Sequence, residues 1–73
     1  MIETSHPSVT ALLMFFDYAH LPTPLREHSK YVCDLAHYMA GTLPLSDELI
    51  TGLRKLLEAK DCFMRAALAQ QRP

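Results

Sequence analysis

Residues 41–50 read Gly-Thr-Leu-Pro-Leu-Ser-Asp-Glu-Leu-Ile, and this stretch decides the fold. Gly41, Thr42, Leu43 and Pro44 stop one helix, and Ser46 is placed to cap the next. Asp47 and Glu48 then fall in a first helical turn, where carboxylates meet the positive end of the helix dipole. Leu45 and Ile50 have the spacing of a hydrophobic staple across that cap. Two helices separated by so few residues are expected to fold back on one another as an antiparallel helical hairpin.

Working outward toward the N-terminus, Leu25, Val32, Leu35, Ala36, Met39 and Leu43 recur at helical spacing. On a 100°-per-residue wheel they fall within about 60° of Val32. Arg26, Lys30, Asp34 and His37 lie on the opposite side. His28 and Ser29 project from the first turns of the apolar face, where polar groups need a reason. Toward the C-terminus, Leu49, Ile50, Leu53, Leu56, Leu57, Met64, Ala67 and Leu68 form the apolar face of a third helix. Arg54–Glu58 and Asp61–Arg65 are opposite charges at i,i+4 along its flank.

Ahead of this pair, Pro7 and Ser8 suit the start of a first helix running to about Tyr18. Leu12, Leu13, Met14, Phe15 and Phe16 make it apolar on every side, so it must be covered on every side. Two partner helices from one short chain cannot do that alone, and a second subunit is expected to cover the rest. His20-Leu21-Pro22-Thr23-Pro24 breaks the helix, with Thr23 expected to cap the second helix and Pro24 to open it. The sequence therefore predicts helices over about 8–18, 24–42 and 46–70, behind a fraying lead-in of residues 1–7. No period-2 strand pattern occurs. The expectation is an all-α single domain spanning 1–73, a short N-terminal helix plus an antiparallel helical hairpin, assembled as a homo-oligomer.

Composition supports assembly and removes several classes of function. Of 73 residues, 49% are apolar, yet a chain this short buries only about 60% of the surface its unfolded form exposes. Seven basic and eight acidic residues give a net charge of −1, so no bulk attraction to DNA, RNA or a membrane surface is expected. The longest apolar run, Ala11–Phe16, is far below the roughly 20 residues of a membrane helix. The opening MIETSHPS has no basic region and carries an acid, which argues against a secretory leader. Cys33 and Cys62 read as two buried thiols of a cytosolic protein.

Two features exceed a plain helical hairpin. Lys60 falls about 20° from Leu53 on the wheel, in the middle of the apolar face. Its ammonium must snorkel to water at a subunit edge, pair with an acid, or meet an anionic ligand. Around the proline kink, Tyr18, His20, Arg26, Ser29 and Lys30 gather. Helix-start N–H groups there suit an anion, and Arg26 and Lys30, one turn apart, can point two cations at one phosphate. Tyr18 offers a ring for base stacking. The competing reading is an ordinary solvated face beside a half-buried tyrosine.

Other constellations carry less. Cys33 and His37 stand at i,i+4, but a tetrahedral zinc site needs four ligands in paired motifs, and none are spaced that way. A Cys–His pair without an oxyanion hole does not make an acyl-transfer site. Neither metal, cofactor nor catalysis is expected. Tyr31 and Tyr38, two turns apart, read as a packing or interface stripe.

Phe15-Phe16-Asp17-Tyr18-Ala19-His20-Leu21-Pro22, then Leu25-Arg26, Ser29-Lys30 and Leu35-Ala36, form one ordered pattern. Leu53-Arg54-Lys55-Leu56-Leu57-Glu58-Ala59-Lys60-Asp61 followed by Arg65-Ala66-Ala67 continues it. Together they resemble the phage-encoded anti-CBASS sponge family, small helical-hairpin proteins that share a domain with some anti-Thoeris sponges. The resemblance runs over Phe15–Leu68. It implies a non-catalytic protein that sequesters the cyclic oligonucleotide signals of bacterial immunity in the cytoplasm of an infected host. It further implies a homohexamer with pockets for 3′,3′-linked cyclic dinucleotides between pairs of subunits and separate pockets for cyclic trinucleotides. The family's pocket tyrosine matches Tyr18 and its phosphate-binding lysine matches Lys30. Arg26 and Ser29 share that matched segment, and Arg65 corresponds loosely to a basic residue of the trinucleotide pocket. Cys62-Phe63-Met64-Arg65 departs from one branch, which has Trp, Ala and Asn there. Lys60 is assigned to the trinucleotide pocket or the subunit interface. The rival class is a small helical oligomeric adaptor that docks a partner protein, which explains the apolar excess without using Tyr18 or Lys30.

Overall fold

A computed structural model describes residues 7–70. All but Pro7 of the lead-in expected to fray lies outside the described residues. Among these the chain is all-helical, with α1 over Pro7–Met14, α2 over Thr23–Thr42 and α3 over Asp47–Gln70. The molecule measures 47 × 20 × 17 Å. Its 24-residue α3 alone extends about 36 Å at 1.5 Å per residue. The broadest helix contact is between α2 and α3, and α1 packs on both.

The junction at residues 43–46 follows its local chemistry. The Leu43 N–H donates to the Met39 carbonyl at 3.0 Å and closes α2. The Ser46 Oγ accepts from the Leu49 N–H at 3.1 Å. The Ser46 carbonyl accepts from the Ile50 N–H at 3.1 Å. Leu45 and Ile50 both pack on the core, as a staple requires.

At the start of α2 the capping role differs from expectation. Pro22, at φ −58° and ψ 153°, is the N-cap, and no side chain caps the helix. The Pro22 carbonyl accepts from the Leu25 and Arg26 N–H groups at 3.0 and 2.9 Å. Thr23 enters the helix, and its hydroxyl is taken by the Arg26 guanidinium at 3.1 Å.

The first helix ends four residues before the expected Tyr18. Past Met14 the bonding tightens to i→i+3: Phe15, Phe16 and Asp17 N–H groups donate to Leu12, Leu13 and Met14 carbonyls at 3.1, 3.0 and 3.3 Å. The Ala19 N–H, which a continuing helix would send to Phe15, goes instead to Asp17 Oδ1 at 3.4 Å. This Asx-type turn bends the chain so that Phe16 is fully buried while Phe15 faces outward.

The core contains Val9, Phe16, Cys33, Ala36, Ala40, Leu49 and Leu53. On α2 the buried residues are Ser29, Cys33, Ala36 and Ala40, a stripe rotated about 70° from the expected centre at Val32. Small side chains lie inward, while Leu35, Met39 and Leu43 remain exposed. The third helix buries Leu49, Leu53 and Ala67 as expected, but Leu68 is exposed. The anticipated Arg54–Glu58 and Asp61–Arg65 pairs do not close; among the described residues the ion pair is Lys30–Asp34. Exposed i,i+4 pairs gain so little that spacing alone does not ensure that the two side chains meet. Cys62 is exposed, so the expectation of two buried thiols holds for Cys33 alone. Among the described residues no helix is long and apolar enough to cross a membrane.

Candidate functional site

The bend after α1 brings a ring from one segment against cations from another. Tyr18, Thr23, Arg26, Glu27 and Lys30 line a cleft of about 360 Å³. Tyr18 is half-buried and packs on the core. Arg26 and Lys30 rise from successive turns of α2 on the solvent side. Pro22 fixes the direction in which α2 departs, so the spacing between the ring and the cations is set by the backbone at residues 15–22.

Both cations already have partners. Arg26 donates to the Thr23 hydroxyl. The Lys30 ammonium sits 3.0 Å from Asp34 Oδ2 and 5.9 Å from the centre of the Tyr31 ring. The hydrogen bond that Lys30 donates to Asp34, then the charge of Asp34, raises the Lys30 pKa above the ordinary lysine value. An incoming phosphate must compete with the Asp34 carboxylate for this ammonium. Two lining residues, Thr23 and Glu27, were not among the site candidates from sequence, where Thr23 figured only as the expected helix cap. Their signal was the i,i+3 and i,i+4 spacing from Thr23 to Arg26 and Glu27, which places all three on the first turns of α2.

The other sequence candidates stand apart from this cleft. His20 is exposed. Ser29 is fully buried, and its Oγ has no hydrogen-bond partner among the described residues. Arg65 is exposed and contacts the Cys62 Sγ at 3.3 Å. Lys60 is 8% exposed, and its ammonium donates to the Phe15 carbonyl at 2.7 Å. The buried ammonium thus meets a backbone oxygen, a partner that helical periodicity could not identify.

Two further concavities flank α2. Thr10, Leu13, Met14, Asp17, Cys33 and His37 surround about 390 Å³. Burial, with the charge of Asp34 next, pushes the Cys33 thiol up. Among the described residues no three His, Cys, Asp or Glu side chains are arranged to hold a metal ion. On the other side, His28, Tyr31, Val32, Phe63, Ala66 and Ala67 line a largely apolar groove of about 300 Å³. Of the three concavities, the Tyr18 cleft alone joins a half-buried ring to two cations. No family model, curated protein or solved structure matches this chain.

Proposed function

We propose that this chain is a non-catalytic sponge for cyclic oligonucleotides, built from helical hairpins assembled as a homo-oligomer, with six copies implied by the family resemblance. The observation that carries the reading is the cleft in which Tyr18, Arg26 and Lys30 converge. The ring is suited to stack on a base, while the two cations suit a phosphate. At about 360 Å³ the cleft is at the low end of small-molecule sites, which span roughly 300–1,000 Å³. One cleft suits one nucleotide unit. A twofold-related copy would supply a second ring and cation pair, matching a 3′,3′-linked cyclic dinucleotide. A cyclic trinucleotide would need a different pocket, to which Arg65 belongs in this reading. Sequestration of such signals in the cytoplasm of an infected bacterium would block the CBASS response.

Met14, Phe15, Tyr31, Tyr38 and Phe63 are all more than half exposed, and this surface favours assembly. It also favours the adaptor reading, in which a partner protein covers it. Calorimetric titration with 3′,3′-linked cyclic dinucleotides and cyclic trinucleotides separates the two, with chromatography of the ligand released on heating. Tight binding with intact ligand recovered is expected, and Tyr18→Ala or Lys30→Ala should weaken dinucleotide binding by about tenfold or more. Degraded ligand would make the protein an enzyme. No binding to any of the compounds would leave the adaptor reading in front.

A further inference from the structure

Lys60 presents an accounting problem. The residue is buried on α3, yet among the described residues its ammonium forms no ion pair, the one such pair being Lys30–Asp34. A buried charge persists only when its donors are met. The acceptor is the Phe15 carbonyl, 45 residues distant in sequence and 2.7 Å away.

That carbonyl is free for a specific reason. The carbonyls of Leu12, Leu13 and Met14 are taken by Phe15, Phe16 and Asp17. Phe15 is next, and its natural helical donor, the Ala19 N–H, is diverted to the Asp17 side chain. The end of α1 therefore presents an oxygen at the negative pole of a helix, where a cation is favoured. From this point the chain runs through fully buried Phe16 to half-buried Tyr18. The Tyr18 carbonyl accepts from Leu21 at 3.0 Å. Besides the packing of Tyr18 itself on the core, two tertiary attachments fix the segment carrying the cleft's ring: the Phe16 side chain in the core and the Lys60 bond to the Phe15 backbone.

We propose that Lys60 is the positioning residue of the Tyr18 cleft, a clamp from α3 that holds the turn presenting the ring. It touches no ligand; it acts through the Phe15 carbonyl. Its consequence for binding rests on the nucleotide reading above, whereas the clamp itself does not.

The experiment has a ligand-free arm and a ligand arm. A wild-type sample with nitrogen-15 lysine and carbon-13 phenylalanine carbonyls should show scalar coupling between the Lys60 Nζ and the Phe15 carbonyl. Its absence overturns the clamp, whether or not any variant folds. In Lys60→Met, amide exchange at Phe16, Asp17 and Leu21 should accelerate by roughly tenfold or more, while Leu53 stays near its wild-type rate. Lys60→Arg, which keeps a charged donor, should restore most of the protection. Uniform acceleration through all three helices would reduce Lys60 to a general stability residue and overturn the assignment.

In the ligand arm, 3′,3′-linked cyclic di-AMP and cyclic di-GMP are titrated into each protein. For whichever binds wild type, Lys60→Met should weaken affinity by about fivefold or more, with rescue by Lys60→Arg. Loosened exchange with unchanged affinity overturns the positioning role. If wild type binds neither compound, the nucleotide reading fails and the positioning role falls with it, while coupling and exchange still decide whether the clamp exists.

Discussion

Asp34→Asn should tighten binding of a phosphate-bearing ligand, although it removes a contact to the lysine expected to hold that ligand. The Lys30 ammonium lies 3.0 Å from Asp34 Oδ2, and the two side chains are 53% and 58% exposed. A pair this open is worth a factor of about two to five in an equilibrium constant. A phosphate must surrender that factor to take the ammonium from the carboxylate. Asparagine keeps the shape and removes the competitor, together with a negative charge that repels the phosphate within a Debye length of about 8–10 Å. The combined gain is about two- to tenfold at low salt and should shrink as salt rises.

Protonation cannot account for this gain. Asp34 raises the Lys30 pKa, so the pair's contribution is complete below the ordinary lysine pKa and is lost only as pH rises through the higher folded value. At neutral pH Lys30 is charged with or without Asp34. The increase should therefore be flat between about pH 6 and 8. Calorimetry with a 3′,3′-linked cyclic dinucleotide at two salt concentrations measures it. Affinity unchanged or reduced in Asp34→Asn, with Lys30→Ala equally silent, would refute Lys30 as a phosphate ligand.

Other outcomes follow from single contacts. Ser46→Ala removes the acceptor of the Leu49 N–H and should cost about 1 kcal/mol, read as a fall in Tm of roughly 4–8 °C. Ser29→Ala removes a buried hydroxyl without a partner among the described residues, so it should leave stability unchanged or raise it by about 1 kcal/mol. It should also leave dinucleotide affinity intact; a loss of affinity would return Ser29 to the site. With a thiol reagent, Cys62 should react at once and Cys33 only as the fold opens. Because burial raises the Cys33 pKa, its neutral thiol stabilises the fold fully below the ordinary thiol value. That contribution declines as pH rises through the folded value, so Cys33→Ala should remove part of the stability loss above about pH 9.

Legibility in the sequence tracked how local each cause was. Ser46, Leu45 and Ile50 act within one turn of one another, and the junction they build was readable from their spacing. Pro22 marked the start of α2 to within a residue, but the cap is Pro22 itself, and Thr23, already inside the helix, meets Arg26 with its hydroxyl. The end of α1 was misjudged because Phe15 and Phe16 are apolar and compatible with a longer helix. The local cue was Asp17, whose carboxylate diverts the Ala19 N–H. The stabilising partner, Lys60, comes from the far end of the chain. In the candidate site, Tyr18, Arg26 and Lys30 could be grouped from the kink that joins their segments. Glu27 was missed because cations and a ring are what mark an anion-binding cleft in a sequence, and an acid among them contradicts that charge logic.

The orientation of α2 bears most directly on assembly. A hydrophobicity wheel weights side chains by size and so points Val32, Leu35, Met39 and Leu43 toward the core. Packing responds instead to how closely two backbones can approach, and Ser29, Cys33, Ala36 and Ala40 permit the closer contact. The cost of that choice is an open face on which Leu35, Met39 and Leu43 meet water. Rotating α2 to bury them would place bulky side chains where the small stripe now lies and push the helices apart. A monomer selected for its own stability gains little by leaving its largest aliphatic side chains outside. A subunit that buries them against another copy gains twice, through a close internal contact and an apolar external one. Arg26 and Lys30 stand about 140–180° around α2 from that face, so in an assembly the apolar face and the cleft would meet different neighbours.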